Sequence, residues 1–132
     1  MAYFLAKTDP ETYSIDDLKR DGSTAWDRVR NHQAKLSLRD GMQPGDRVLI
    51  YHSNAEPTGV VGIATVVGEA IPDATQFRKG DDAFEPRATK DAPVWWARTL
   101  RFERRFPACV TLASLRAEPK LAGMQLLARG NR

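Results

Sequence analysis

Two β signals separated by a short loop constrain this chain more than anything else in it. Arg47-Val-Leu-Ile-Tyr51 is an unbroken run of β-branched, apolar and aromatic residues, and Val60-Val-Gly-Ile-Ala-Thr-Val-Val67 is a second. Branched and aromatic side chains pack well on a pleated surface, so both runs predict strands buried on at least one face. Pro44-Gly45-Asp46 supplies the turn into the first, and Ser53 to Gly59 joins the two. Gly62, inside the second run, predicts a bulge or tight bend. The pair excludes an all-helical fold.

The remaining elements are shorter. Tyr3 to Lys7 reads as a first strand. Ser14-Ile-Asp-Asp17 has capping-box spacing and predicts a helix from Ile15 to about Arg20, ended by Asp21-Gly22. Ala34 and Leu38, with Gly41 beyond them, suggest a helix from about Asn31 to Arg39. Ile71 to Pro93 holds three prolines and no sustained period, so it reads as a long excursion, a kind of segment usually functional or mobile. Val94 to Phe106 alternates aromatics with arginines as a strand does, which sends Trp95 and Trp96 to opposite faces. Thr111 opens a helical turn through Arg116, and Pro119 can start another with Leu121 and Met124 inward. The expected class is α+β: a small mixed β-barrel with short flanking helices.

At 132 residues the chain is expected to form one domain with a real core. No segment approaches the ~20 apolar residues of a membrane span, and the N-terminus does not read as a secretory signal. The lone cysteine, Cys109, fits a reducing compartment and reads as an inert packing residue. A cytoplasmic location is expected, or a nuclear one in a eukaryote. From Arg98 onward eight basic residues face two acids, and Lys19 to Arg47 carries seven against four. Such asymmetry suits a polyanion-binding face, although on charge alone a solvated surface of mixed signs accounts for it somewhat better.

Enzymatic signatures are weak. His32 and His52 are the only histidines and no Cys-x-x-Cys or His-x-Glu accompanies them, so neither a zinc site nor a zinc deaminase is expected. Adjacent His52 and Ser53 do not by themselves make a dyad, and no glycine-rich phosphate loop occurs. The chain is expected to be no enzyme and to need no cofactor.

Several segments, in order, resemble the EVE domain family. They are Lys7-Thr-Asp-Pro10 before Tyr13-Ser14, Trp26-Asp-Arg-Val-Arg-Asn31 with Gln33-Ala34, Tyr51-His-Ser-Asn54, Gly59-Val-Val-Gly-Ile-Ala64, Glu69-Ala-Ile-Pro-Asp73 with Thr75 and Phe77, and Pro93-Val-Trp95. The resemblance implies a PUA-like fold across residues 1–132. It also implies a partner: DNA or RNA carrying a modified base, methylated or hydroxymethylated cytosine being the association of similar domains. Some bacterial forms look like sensors in defence and restriction systems. This chain departs from the family pattern at Arg28, where glycine is usual, and at His32, where tyrosine is usual. At Ala83-Phe-Glu-Pro-Arg87 one aromatic, Phe84, remains of the relatives' two. Relatives continue past Gly130-Asn-Arg132 into a further β segment and helix, so either the chain is expected to be truncated or the domain to lack a closing element.

A base held outside its stack needs a π surface, fixed hydrogen-bond groups and cations for flanking phosphates. The matching motifs nominate Trp26 as stacking platform, Phe84 as its opposite side, and Lys7, Thr8, Asn31, Ser53 and Asn54 as polar groups around the base. Arg28, Arg30, Arg98 and Arg101 are the expected phosphate contacts. In a small barrel the element ends that carry these residues can lie on one rim. Duller uses compete: Trp26 as a core anchor, which the residues alone favour, Asn31 as a helix cap, and Ser53-Asn54 as turn residues. An RNA-binding module, a small hydrolase or nuclease using His52, and a free-nucleotide domain remain alternatives.

Overall fold

A computed structural model describes residues 3–55, 57–111 and 114 of the chain. In chain order its elements are β1 (Tyr3–Thr8), α1 (Ile15–Asp21), β2 (Ser23–Trp26), α2 (His32–Leu36), a π-helical turn (Ser37–Gly41), β3 (Arg47–His52), β4 (Gly59–Pro72), a 3-10 turn (Ala74–Phe77) and β5 (Trp96–Thr111). The strands form one sheet in the order β1-β3-β4-β5-β2. β1 runs parallel to β3, and every other pair is antiparallel.

The local signals hold. Ser14 and Asp17 close the capping box on α1 in both directions. The β4 register shifts between Val60 and Gly62, and a Cβ on Gly62 would lie 2.5 Å from the Arg104 carbonyl oxygen and 2.8 Å from Ile15 Cδ1. Only glycine lets helix and strand approach so closely. β4 runs on to Pro72 rather than ending at Val67, because Gly68, at φ +73°, takes up a second irregularity before Ile71 re-pairs with Ala97. β2 is not foreshadowed in the sequence. Four residues carry little pattern, and the strand exists because Arg98 to Arg101 of β5 satisfy its backbone.

Ala6, Val48, Ile50, Ala64, Val66 and Leu100 line the inner face of the sheet, covered by Ile15 and Leu18 of α1 and by Ala34, Leu38 and Met42 of the α2 region. Each large apolar side chain so buried stabilises the fold by about 1.5–3 kcal/mol. The sheet curls: Tyr13, which follows edge strand β1, packs edge-on against Trp26, the last residue of the opposite edge strand, at 6.4 Å between ring centroids. Among the described residues β1 and β2 do not pair, so the sheet stays open where a closed barrel was expected. Thr111 Oγ1 accepts from the Ser114 N–H at 3.1 Å. The rest of that helical turn and the helix expected after Pro119 lie outside the described residues.

Candidate nucleic-acid interface

The polar residues of the matching motifs fall into two groups. The first is a clasp between residues 28–35 and 73–95. Its centre is Asp73, whose carboxylate is fully buried. It accepts from the Arg28 N–H at 2.7 Å, from Arg30 Nη1 at 2.9 Å, and from both the N–H and the hydroxyl of Thr75. Burial alone would raise its pKa, but these donors outweigh it and hold the carboxyl below the usual value. Arg30 also donates to Thr75 Oγ1 and to the Ala83 carbonyl. Arg28 sits at φ +62°, a left-handed backbone that favours glycine, and its guanidinium makes a two-pronged contact with Asp81 at 2.8 and 2.9 Å.

Gln76 ties the same segment to the start of β5. Its amide donates to the carbonyls of Asp73 and Trp95 and accepts from the N–H groups of Val94 and Trp95. Trp95 is buried, with its indole N–H on Glu85 Oε1. His32 stacks on its ring at 4.8 Å, with Arg30 and Lys35 also over the ring. The Arg87 guanidinium and the Trp95 indole together hold the Glu85 carboxyl down to about 2. The excursion from Ile71 is thus a chain of turns anchored at Asp73, Gln76 and Glu85.

The second group is a rim at the shared ends of β1 and β3. Thr8 lies level with His52, and the Ser53 N–H donates to the Thr8 carbonyl at 2.9 Å. The Thr8 hydroxyl donates to the Tyr13 carbonyl. Asn54, at φ +52°, reaches Asp9 at only 3.5 Å. The backbones of Lys7, Thr8, Ser53 and Asn54 therefore meet at one strand end, but Thr8, nominated as a polar group around the base, is 3% exposed with its hydroxyl spent on Tyr13, so only the other three reach the surface. His52 Nε2 accepts the first N–H of α1, from Ile15, at 3.1 Å, and burial pushes its pKa down. That nitrogen is engaged in supporting a helix, which speaks against its use as a hydrolytic base.

The other nominated residues are distributed differently. Trp26 is 4% exposed and belongs to the core, so it offers no open face at the surface. Asn31 caps α2 by accepting from the Ala34 N–H, and Phe84 is half-buried in the clasp. Two expected phosphate contacts are corrected. Arg98 is 3% exposed and donates Nη1 to the Leu38 carbonyl, because its register opposite Trp26 turns it into the core. Arg30 is consumed by Asp73, Thr75 and Ala83. Arg28 is half-exposed but its fork is occupied by Asp81. Arg101 alone of the four is an exposed cation without an ion pair among the described residues. The sequence reading missed Asp73, Gln76, Glu85 and the His32–Trp95 stack as site architecture. The Asp73-x-Thr75 spacing, a capping pattern, was the available signal.

Among the described residues no group of three or more His, Cys, Asp or Glu could hold a metal ion, and no helix is long and apolar enough to cross a membrane. A family model for the EVE domain matches residues 2–132. The chain is 35% identical to human thymocyte nuclear protein 1 over 127 residues, which is 88% of this chain and 56% of that protein. The rat protein of that name is 37% identical over 125 residues, 86% of this chain and 55% of its own length. The chain thus spans about half the length of the curated relatives it matches. A hypothetical protein from Leishmania major has a TM-score of 0.91 at 38% identity, covering 98% of this chain and 82% of that one. Human thymocyte nuclear protein 1, solved in complex with DNA containing 5-methylcytosine, has a TM-score of 0.88 at 33% identity, covering 98% and 86%. The sheet, its flanking short helices and the family model over nearly every residue agree: the chain belongs to the EVE domain family.

Proposed function

We propose that this chain is a non-catalytic nucleic-acid-binding module, a single domain over 1–132, that accommodates a flipped and modified base, such as a modified cytosine in DNA. The observation that carries this reading is the relative of the same fold solved with 5-methylcytosine DNA. The rim supports it physically: Lys7, Ser53 and Asn54 share one strand end around buried Thr8, and their side chains are only lightly engaged. Trp26 is the inner wall, reached by a base that enters between rim and clasp, with Asn31 and Phe84 on the clasp side. Arg101 and Arg28 flank the entry, the latter once Asp81 yields it. A PUA-like fold and a cytoplasmic or nuclear setting belong to the same reading.

The test is a binding panel of duplex and single-stranded DNA and RNA, each with one unmodified, methylated or hydroxymethylated cytosine, with a nuclease control. Tighter binding to modified DNA is expected, without strand cleavage. Affinity should fall with salt at a log–log slope of about −0.7 to −0.9 per neutralised phosphate. Equal binding to modified and unmodified strands overturns the base reading, a preference for RNA changes the polymer, and a salt-independent affinity removes the polyanion.

A further inference from the structure

The Arg98 side chain is a buried cation without a counter-ion among the described residues. It lies directly opposite Trp26 in the antiparallel pair of β2 and β5, so the two side chains share the inner face of the sheet. Both are almost wholly buried. A guanidinium is always protonated and carries five N–H donors. Nη1 is satisfied by the Leu38 carbonyl at 3.1 Å, while Nε is buried with no hydrogen-bond partner. Among the described residues no carboxylate pairs with it; Asp73, Asp81 and Glu85 engage Arg30, Arg28 and Arg87 instead.

This arrangement is costly as pure structure. A buried donor left unmade and a buried charge left unpaired both destabilise the fold, and an apolar side chain of similar length would avoid both. Leu38 and Leu100 form the apolar surroundings such a side chain would meet. An arginine here makes sense if its missing acceptor arrives with a ligand. Next to an indole, the acceptor that fits is an oxygen on a flat ring. A backbone phosphate does not, since it is tetrahedral and heavily hydrated and would have to be carried into the core, whereas exposed Arg101 can meet it in water.

We infer that Arg98 is a specificity-determining residue that hydrogen-bonds an oxygen acceptor on the base taken up beside Trp26. A carboxylate on a pyrimidine ring would be its strongest partner, because charge-assisted bonds to the guanidinium fork are shorter and stronger than neutral ones. The inference rests on the base-uptake reading above.

The experiment compares wild type, Arg98→Met and Arg98→Lys on duplexes with 5-carboxylcytosine, 5-methylcytosine or an abasic site at one position. The quantity read is the gain in affinity of each base over the abasic duplex. In wild type the gain should be about tenfold to a hundredfold, largest for 5-carboxylcytosine. In Arg98→Met it should fall to within about threefold of none, while the free protein melts at or above the wild-type temperature. Arg98→Lys keeps the charge but loses the fork and should retain only part of the gain; it decides the question if Arg98→Met does not fold. A folded variant that keeps the wild-type gain overturns the role of Arg98 alone, since a strut to Leu38 would not alter base dependence. Wild type binding the abasic duplex as tightly as the others overturns base uptake and this inference with it.

Discussion

The clasp and the rim hold similar residue types and use them in opposite ways. In the clasp, Asp73, Arg30, Gln76 and Glu85 are committed to one another, deep enough that little is left for a ligand. At the rim, Ser53 and Lys7 stand beside Thr8 with few side-chain bonds, and Asn54 has one long contact. Buried polar networks tolerate no vacancy, whereas a half-exposed group can exchange water for a ligand. The contrast teaches that motif membership does not separate scaffold from site; the saturation of each side chain's hydrogen bonds does.

The comparison breaks most visibly at Asp73. Asp73→Ala strands the Arg30 cation and three backbone or hydroxyl donors, and should cost about 3–5 kcal/mol of unfolding free energy. A urea titration showing a loss below about 1 kcal/mol would mean that the clasp is no keystone. The rim should behave in reverse. Lys7→Ala combined with Ser53→Ala should move stability by less than about 1 kcal/mol, yet weaken binding to modified DNA about tenfold. Unchanged binding by this folded double variant would remove the rim from the interface.

Acid should separate the two regions as well. The His52 pKa is lowered in the fold, so its neutral form contributes stability that is fully present above the ordinary value of 6.5 and is lost as pH falls below it toward the folded value. The Asp73 pKa is also lowered, so its contribution persists above 3.8 and is lost only as pH falls through the folded value beneath that. Mildly acidic solution should therefore loosen the rim, through the His52–Ile15 contact, while the clasp holds. Hydrogen exchange at the Ile15 amide, compared between about pH 7.5 and 5.5 and corrected for intrinsic rates, reads this directly. Protection unchanged there, or lost equally at Arg28, would count against it.

The smallest effect is expected at Arg28. Glycine would relieve a left-handed backbone that costs about 1 kcal/mol or more, while losing a half-exposed ion pair worth about 0.2–1 kcal/mol. Arg28→Gly should thus leave stability within about 1 kcal/mol of wild type. A large loss in thermal melting would show that the Asp81 contact carries more of the clasp than its exposure suggests.

Much of the fold was readable along the chain. β3 and β4, the capping box of α1, the Asn31 cap and the irregularity at Gly62 each depend on residues within a few positions of one another, and local sterics and hydrogen bonding decide them. The family was readable from its ordered motifs. β2, the inward turn of Arg98 and the capture of Arg30 were not. Each depends on a partner far along the chain, as Arg30 does on Asp73, 43 positions away, and β2 on β5, where Ser23 pairs with Arg101. An arginine in an alternating strand looks the same in sequence whether it faces water or the core. Register against Trp26, set by the whole sheet, made Arg98 interior, while its neighbour Ala97 and Leu100 two positions on are buried and Arg101, three positions on, is exposed. Sequence determined most of the strands and helices; only the tertiary structure decided that β2 would form and which charges met a partner, because long-range pairing is a property of distances that the chain order does not contain.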